Sequence, residues 1–320
     1  MDAIRVHEHG GPEVLTLVET PTPEPGPGQV LVRLSATGVN FVDTYHRTGL
    51  YPSVPPFTPG SEGAGTVVAV GPDVTGPAVG DRVASTNLAG AYAQFAVAPA
   101  NRVVPVPAEV SDEQAAAALL QGMTAHYLLH DSYPVRPGDT VLVHAAAGGM
   151  GLLLTQLATK LGARVIGTVS SPEKEKLARQ AGAAEVIGYD DVAAHVRQVT
   201  ADEGVAAVYD GVGHATFDAS LASLRVRGTL ALYGYASGPV PPFDLNRLAT
   251  GGSLSLTRPT LAHFIARDDE LARRAADVLG WVADGTLTIT VGGRYPLAAA
   301  PRAHDDLQSR RTTGKLLLIP

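Results

Sequence analysis

Residues 141–151 read VLVHAAAGGMG, and this stretch decides the fold. A run of β-branched and aliphatic residues stops at three alanines, after which the chain is mostly glycine. A loop that binds a dinucleotide needs a small residue at its tight turn, bare backbone where the pyrophosphate approaches, and a small residue where the helix crosses the strand. Ala146, Gly148 and Gly151 have this spacing, provided that Ala146 keeps a negative φ. The stretch predicts a strand, a phosphate-binding turn and a helix start, although a turn that binds nothing would have a similar pattern.

Strands and helices alternate along the chain from this turn onward. Strands are predicted at 141–146, 164–170, 185–189, 205–210 and 229–234, and helices at 149–162, 171–182, 191–201 and 214–225. Repeated strand–helix units predict an α/β fold, a doubly wound parallel sheet of the Rossmann type with right-handed crossovers. Because the glycine loop follows the first strand of the series, we expect it at the crevice where such sheets bind ligands.

The two ends of the chain have a different character. Residues 1–110 are predicted to be mostly β-structure, and Ser111 is the predicted N-cap of a helix. After about residue 255 the chain has a predicted helix at 268–284, a strand at 286–291 and a closing LLLIP, too little for a separate domain. We expect this segment to return to the N-terminal part. The predicted domains are therefore 1–120 with 256–320, and a dinucleotide-binding domain at 121–255.

The composition excludes several classes of function. The chain of 320 residues has a net charge of −7 and no cysteine, so disulfide bonds, thiolate catalysis and cysteine-bound zinc are excluded. The acidic balance argues against a nucleic acid partner, which normally requires a basic face. The sequence has no signal-peptide pattern and no apolar stretch of the ~18 residues that a membrane span requires. We expect a soluble cytoplasmic protein with no membrane partner.

The residues after the second strand of the α/β region indicate which dinucleotide is bound. A site for NAD usually has an acidic residue there, which holds the ribose 2′-hydroxyl group. This chain has Ser170 and Ser171 instead, and Lys174 follows one helical turn later. With a cation nearby and no carboxylate to repel a phosphate, the site is predicted to prefer NADPH. The alternative is that Ser171 only caps the helix and Lys174 is solvated.

Eight stretches connect the whole chain to a known family. They are GVNFVDTYHRTGLYP (38–52), PGSEGAGTVVAVG (59–71), GDRV (80–83), AAAGGMG (145–151), GARVIGTVSSPEK (162–174), YDGVG (209–213), TRPTL (257–261) and SRRTTGKLLLIP (309–320). In these stretches the chain resembles the zinc-free quinone oxidoreductases of the zeta-crystallin type, in the medium-chain dehydrogenase/reductase superfamily. The resemblance implies a β-rich GroES-like catalytic domain beside the Rossmann domain, and reduction of a quinone by NADPH.

The resemblance also implies that no metal takes part. Zinc enzymes of this superfamily have a catalytic cysteine where this chain has Asn40 and a histidine where it has Ser61, and their structural zinc needs four cysteines. The histidines at the following positions are interpreted as surface or packing residues: His7, His9, His126, His130 and His144.

The resemblance implies a catalytic role for the 38–52 motif. Asn40 would lie beside the nicotinamide, where its amide could donate to the cofactor or to a substrate oxygen. Tyr45 would offer a phenolic hydroxyl group, Asp43 would organise the turn, and Tyr51 would line the mouth of the substrate pocket. The alternative is that these side chains only bond to the local backbone.

The cofactor site implied by the resemblance draws on the whole chain. Its predicted members are Asn40, Thr124, Gly148, Gly149, Met150, Gly151, Ser170, Lys174, Tyr189, Val212, Gly234, Tyr235, Leu256, Thr257 and Arg310. Two residues depart from the pattern, because Gln121 replaces a lysine of some relatives and Gly211 replaces a commoner serine.

Other readings stay open at this point. The nearest is reduction of an activated carbon–carbon double bond, as in the enone and enoyl reductases of the same superfamily, because that reaction needs nearly the same hydrogen-bond donors. A non-catalytic role, structural or in RNA binding, is a second, which the net charge argues against. TLALYGYASG (229–238) is expected to be the edge strand of the sheet and to pair with a second copy, giving a homodimer.

Overall fold

The computed structural model describes residues 1–320, which divide into two units. The first unit consists of Met1–Met123 and Ile265–Pro320, and the second is Thr124–Phe264. The boundaries drawn from the sequence, after 120 and after 255, fall three and nine residues earlier in the chain than those of the structure, after 123 and after 264.

The N-terminal segment of the first unit is mostly β-structure. Its strands are β1 (Asp2–Arg5), β2 (Thr16–Glu19), β3 (Gln29–Val39), β4 (Gly63–Val70), β5 (Arg82–Ser85), β6 (Phe95–Pro99) and β7 (Val103–Pro105), and its helices are α1 (Phe41–Arg47) and α2 (Asp112–Tyr127). Ser111 caps α2 as predicted, because its hydroxyl accepts the Gln114 N–H at 3.2 Å while the Gln114 side chain accepts the Ser111 N–H at 3.0 Å. A π-helical turn at Leu128–Ser132 follows this helix.

The second unit alternates strands and helices, as the sequence predicts. Its elements are β8 (Thr140–Val143), α3 (Gly149–Lys160), β9 (Arg164–Thr168), α4 (Pro172–Gln180), β10 (Glu185–Ile187), α5 (Val192–Val199), β11 (Val205–Asp210), α6 (Phe217–Ser223), β12 (Leu224–Leu232), α7 (Asn246–Thr250), β13 (Ser255–Thr257) and α8 (Leu261–Phe264). The first strand ends at Val143 rather than at 146, because the backbone leaves the extended region at Ala145, where φ is 51°.

The sheet of the second unit is parallel throughout, with the strand order β10-β9-β8-β11-β12-β13. The chain proceeds outward from β8 to β10 and then returns to the other side of β8 with β11. The prediction of a doubly wound Rossmann-type sheet is confirmed, and its switch point lies between β8 and β11. The core consists of aliphatic side chains from the strands and the covering helices, among them Leu142, Val196, Val208 and Leu221.

The prediction that TLALYGYASG forms the edge of this sheet is wrong. β12 is an inner strand, because Leu230 pairs with Leu256 and Ala231 with Thr257 of β13. The three-residue strand β13 is the edge, and a run this short is not distinctive in the sequence.

The C-terminal segment completes the first unit with α9 (Asp268–Ala283), β14 (Val291–Pro296), α10 (Ala300–Gln308) and β15 (Lys315–Ile319). The sheet of this unit has the order β14-β15-β3-β4-β5-β7, and β6 also pairs with β3. Because β15 pairs antiparallel with β3, the returning segment is part of the N-terminal sheet.

The strand predicted at 286–291 is wrong, since a strand begins only at Val291. The chain before it is tied to the end of α9 instead. Asp284 Oδ1 accepts the Thr286 N–H at 2.8 Å, and the Leu287 N–H donates to the Trp281 carbonyl at 2.8 Å. These backbone donors are therefore used locally and not in a ladder.

Candidate active site

The loop after β8 has the geometry that a dinucleotide requires. The Gly148 N–H donates to the Ala145 carbonyl at 2.8 Å, and α3 begins at Gly149 with no side chain capping it. A Cβ atom at Gly151 would overlap the Ala145 carbonyl oxygen and lie 2.6 Å from the Ala146 Cα, so only glycine fits there. The left-handed residue of the turn is Ala145, while Ala146 stays outside that region, as its predicted role requires. The uncapped N–H groups of Gly149, Met150 and Gly151 lie at the positive end of α3.

The residues predicted to choose the dinucleotide lie together after β9. Lys174 Nζ donates to Ser170 Oγ at 3.2 Å, which brings the cation to the end of the strand. Ser171 caps α4 by accepting the Lys174 N–H at 3.4 Å. Partial burial lowers the pKa of the Lys174 ammonium from its ordinary value. Both roles of this segment are thus present at once, a capped helix and a cation beside a hydroxyl group.

Tyr189 lies against the glycine loop. Its hydroxyl oxygen accepts the Ala145 N–H at 3.2 Å, and its ring stacks on the His144 ring with the centroids 6.3 Å apart. Of the Tyr189 residue, 40% is exposed. The contact places a large aromatic surface next to the turn that the sequence predicts to hold phosphate.

The remaining predicted residues of the second unit follow the next three strands. The Val212 N–H donates to Asp210 Oδ1 at 2.8 Å, directly after β11. Gly234 and Tyr235 follow β12, and the Arg258 guanidinium lies over the Tyr235 ring at 4.2 Å from its centroid. Leu256 and Thr257 belong to β13. Since the strands are parallel, all these residues lie at the same carboxyl edge as the glycine loop.

The departure at Gly211 has a steric reason. A Cβ atom there would lie 2.7 Å from Cε2 and from Cζ of the Tyr233 ring. A serine at this position would therefore have room only if the Tyr233 ring moved.

In the first unit, Asn40 is held in a buried polar cluster. Its amide donates to Glu62 Oε2 at 2.9 Å, and its carbonyl oxygen accepts from Lys315 Nζ at 2.7 Å. Lys315 Nζ also contacts Glu62 Oε2 at 2.6 Å, and the two side chains are 2% and 0% exposed. The other oxygen of Glu62 accepts the Leu120 N–H at 2.7 Å. The Asn40 side chain therefore has a fixed orientation at the start of α1.

Asp43 organises the same turn, as predicted, and is also part of a longer chain of hydrogen bonds. Its Oδ2 accepts the Asn40 N–H at 2.8 Å and the Tyr92 hydroxyl at 3.0 Å. The Tyr92 oxygen lies 2.9 Å from His304 Nε2, and His304 Nδ1 lies 3.0 Å from Arg47 NH1. Because the guanidinium can only donate, the proton of a neutral His304 is on Nε2. Tyr92 therefore donates to Asp43.

Burial shifts the pKa values of this chain. Removal from water raises the pKa of the Asp43 carboxyl group from 3.8 to about 7, more than the hydrogen bonds from Asn40 and Tyr92 lower it. Removal from water also lowers the pKa of His304 to about 3, and the nearby Arg47 charge acts in the same direction. His304 is therefore neutral at physiological pH.

The remaining residues that the sequence analysis names lie at separate places. Tyr45 lies on α1 and is 8% exposed, and its ring centroid is 5.2 Å from that of Tyr51, which follows the helix. Arg310 is exposed after α10. Gln121, the replaced lysine, has a buried Oε1 with no hydrogen-bond partner. Thr124 lies in α2 and is buried, at the first position of the second unit.

Several polar residues of these clusters were missed by the sequence analysis. They are Arg47, Glu62, Tyr92, His304 and Lys315 in the first unit, and Asp210, Thr168 and Ser220 around His144 in the second. Charged residues beside apolar strands, such as Glu62 and Lys315, usually indicate a solvated strand end. Only a pairing across the sheet, which the local sequence does not encode, makes them buried partners.

The residues present fit the dinucleotide that the fold implies. Gly151 leaves open the space that a side chain would fill, and α3 has uncapped N–H groups. The residues directly after β9 are Val169, Ser170 and Ser171 with no carboxylate among them, and Lys174 reaches back to Ser170 from the first turn of α4, where Glu173 and Glu175 also lie.

The structure contains no comparable set of side chains for a metal ion. Nowhere do three histidine, cysteine, aspartate or glutamate side chains gather closely enough to hold one. The expectation that no metal takes part in the reaction stays a prediction.

Comparison with known proteins identifies the class. The family model of zinc-binding dehydrogenases matches residues 149–278, and that of the alcohol dehydrogenase GroES-like domain matches residues 26–108. With the Rossmann-type sheet and the glycine loop, these matches define a medium-chain dehydrogenase/reductase.

More similar proteins narrow the class. A quinone oxidoreductase of Pseudomonas aeruginosa is 46% identical over 323 residues, which is 99% of each chain. A 2-haloacrylate reductase of a Burkholderia species is 43% identical over 325 residues, 98% of each chain. The native structure of a mycobacterial protein complexed with NADPH has a TM-score of 0.98 at 56% identity and covers 100% of both chains. The chain belongs to the quinone oxidoreductase family, which confirms the resemblance seen in its sequence.

Proposed function

We propose that this protein is an NADPH-dependent quinone oxidoreductase whose catalytic groups are neutral hydrogen-bond donors. The observation that carries the proposal lies at the carboxyl edge of the second unit's sheet. There the uncapped start of α3, which Gly151 keeps free of a side chain, follows β8, while Ser170 and Lys174 follow the neighbouring strand β9. The family relationship supports the choice of a quinone as the acceptor.

The chain contributes binding groups for each part of the cofactor. The N–H groups of Gly149, Met150 and Gly151 would hold the pyrophosphate, and Lys174 with Ser170 would hold the 2′-phosphate of NADPH. When bound, NADPH would supply a hydride from its nicotinamide ring. The residues after β11, β12 and β13 would contact its ribose and nicotinamide groups, with Thr124 and Arg310 as further contacts.

The first unit would contribute the groups that act on the substrate. Lys315 and Glu62 orient the Asn40 amide, whose second N–H makes only a long contact with the Gly38 carbonyl, at 3.5 Å, and would turn from it to a substrate oxygen or to the cofactor. The Tyr45 hydroxyl would donate to the same developing negative charge, and Tyr51 would line the pocket. Asp43 would act through Asn40, whose backbone N–H it accepts.

Steady-state turnover of a simple quinone by the purified protein tests this proposal. We expect at least tenfold higher kcat/KM with NADPH than with NADH. Asn40→Ala and Tyr45→Phe should each lower kcat, while Asn101→Ala and Tyr295→Phe, away from the proposed site, should not. If Asn40→Ala and Tyr45→Phe both left turnover unaltered, the proposed catalytic roles would have to be dropped.

A second candidate function is the reduction of an activated carbon–carbon double bond. The 2-haloacrylate reductase among the relatives favours it, because the likeness covers nearly the whole of both chains. The same donors would serve, since negative charge again develops on a carbonyl or carboxyl oxygen. The ratio of kcat/KM for a quinone to that for an α,β-unsaturated ketone decides between the two.

Assembly and location complete the proposal. We propose a homodimer formed along β13, whose outer edge has no partner strand in the sheet, and a cytoplasmic location. Light scattering of the purified protein should give the mass of two chains. Cell fractionation should recover the protein in the cytoplasmic fraction. No helix has the length and apolar character needed to cross a membrane.

A further inference from the structure

Four buried side chains form a continuous line of hydrogen bonds beneath the glycine loop. We call this line the buried relay, and its members are Asp210, Ser220, His144 and Thr168, each of them 0% exposed. Ser220 Oγ donates to Asp210 Oδ2 at 2.7 Å, and Ser220 Oγ lies 3.0 Å from His144 Nε2. His144 Nδ1 lies 3.1 Å from Thr168 Oγ1, which accepts the Ala145 N–H at 3.1 Å. The relay thus connects the end of β11 to the turn after β8.

The chemistry of the members fixes the position of every proton in the relay. A carboxylate only accepts, so the single proton of Ser220 is used toward Asp210. The Ser220 oxygen must then accept from His144 Nε2–H. Burial lowers the pKa of His144, so the ring is neutral and its Nδ1 must accept from the Thr168 hydroxyl. The Thr168 oxygen is left with a lone pair directed at the Ala145 N–H.

The residue at the end of the relay is the strained residue of the loop. Ala145 has a φ of 51°, a left-handed conformation that residues with a Cβ atom adopt at a cost. Its carbonyl accepts the Gly148 N–H and forms the wall that excludes a side chain at Gly151. The orientation of this one peptide therefore decides where the loop passes and where α3 begins.

We propose that the buried relay holds Ala145 in its left-handed conformation and so positions the loop that binds the pyrophosphate. The relay side chains are positioning residues, since they act through Ala145. Asp210 is suited to anchor the relay because its own orientation is fixed by the backbone N–H groups of Val212 and Gly213, at 2.8 and 3.0 Å. The inference rests on the proposed function of the loop as the pyrophosphate site.

Thr168→Val tests the proposal with almost no change in shape. It removes the hydroxyl that accepts the Ala145 N–H at 3.1 Å and leaves that N–H only the Tyr189 hydroxyl oxygen, at 3.2 Å. We expect the Kd for NADPH, measured from the fluorescence of the bound nucleotide, to rise about fivefold, the effect of one neutral hydrogen bond. Thr168→Ser should restore the affinity, and kcat at saturating NADPH should change by less than twofold. Ser220→Ala should also raise the Kd for NADPH.

A second substitution distinguishes positioning from simple loss of stability. Glycine adopts the left-handed region without strain, so in the background of Ala145→Gly the relay is not needed to hold the turn. We expect Thr168→Val to raise the Kd for NADPH by less than twofold in that background. The ratio is taken against Ala145→Gly itself, so any effect of that change alone cancels.

Matched controls are available in the same unit. Ser223 is as buried as Ser220 on the same helix, but its hydroxyl donates to the Ala219 carbonyl at 2.7 Å, so Ser223→Ala should leave the Kd for NADPH unchanged. Thr155 is a buried threonine whose hydroxyl has no partner, and Thr155→Val should also leave it unchanged.

Two results would overturn the inference, and a third would remove the function it rests on. If Thr168→Val lowered the unfolding midpoint and left the Kd for NADPH unaltered, the relay would be structural only. If Thr168→Val raised the Kd for NADPH by the same factor whether position 145 is alanine or glycine, the relay would not act through Ala145. By contrast, if Gly151→Val still bound NADPH as the parent does, the loop itself would not be the pyrophosphate site.

Discussion

Replacement of Lys315 by methionine is expected to destabilise the first unit strongly. The ammonium group lies 2.6 Å from Glu62 Oε2, and the two side chains are 2% and 0% exposed. Lys315→Met keeps most of the aliphatic volume and removes the charge, which leaves the Glu62 carboxylate buried with only the bonds from Asn40 and the Leu120 N–H. Breaking a buried pair in this way typically costs about 3–5 kcal/mol, because the remaining charge stays desolvated. We expect a loss of that size.

Urea unfolding measured by tryptophan fluorescence is a suitable assay. Trp281 is the only tryptophan of the chain and lies on α9 in the same unit as the pair, so its signal reports the unit concerned. The chain has no cysteine that could oxidise during the titration.

Two controls isolate the effect of the unpaired charge. The double variant Glu62→Gln, Lys315→Met removes both charges and should recover most of the loss, to within about 1 kcal/mol of the parent. Arg302→Met removes a cation that is 79% exposed beside Asp306 and should leave the midpoint unchanged. A loss below about 1 kcal/mol for Lys315→Met, or a double variant no more stable than the single one, would refute the reasoning.

Three further predictions concern the Lys174 side chain, the Asp43 carboxyl group and the buried hydroxyl group of Thr155. Lys174→Ala should raise the KM for NADPH about tenfold, because a charge-assisted hydrogen bond is lost. Lys176→Ala, on the exposed side of α4, should leave this KM unchanged. If Lys174→Ala raised the KM for NADH by the same factor, Lys174 would have no role at the 2′-phosphate. Because the pKa of Asp43 is about 7 in the folded state and 3.8 as the ordinary value, folding binds a proton there between these pH values, and the contribution of Asp43 to the free energy of unfolding should fall as the pH rises from about 4 to about 7. The pKa of His304, lowered from 6.5 to about 3, contributes a rise between those two values, so the fall is measured as the difference between the parent and Asp43→Asn. Asp43→Asn should remove this fall in urea titrations followed by Trp281, and an unchanged pH dependence would show that another group is responsible. Thr155→Val should raise the thermal midpoint by the equivalent of about 1 kcal/mol, because it removes a buried hydroxyl with no partner, whereas Thr155→Ser should bring no gain.

The sequence predicted those parts of the site that local rules control. The glycine loop, the capped start of α4 and the lysine after β9 were each found from a few neighbouring residues, and the structure places them at one edge of the sheet. The parallel sheet followed from the alternation of apolar strands and capped helices.

Residues far apart in the sequence were not predicted to meet. Lys315 lies 253 positions from Glu62, and His144 lies 76 positions from Ser220. Asn40 was predicted as a hydrogen-bond donor, but its fixed orientation comes from Lys315, which only the pairing of β15 with β3 brings near. The edge position of β13 likewise depends on which strands pair.

By itself, the sequence determined the class of fold, the place of the glycine loop and the absence of cysteine chemistry, since each depends on residue types at short spacing. The tertiary structure decided which polar side chains are buried together, which strand forms the edge, and that Ala145 rather than Ala146 takes the left-handed conformation. The physical reason is that backbone preference and hydrophobic periodicity act between neighbours. The hydrogen bonds of a buried charge depend on whichever distant segments the packed sheet brings to it.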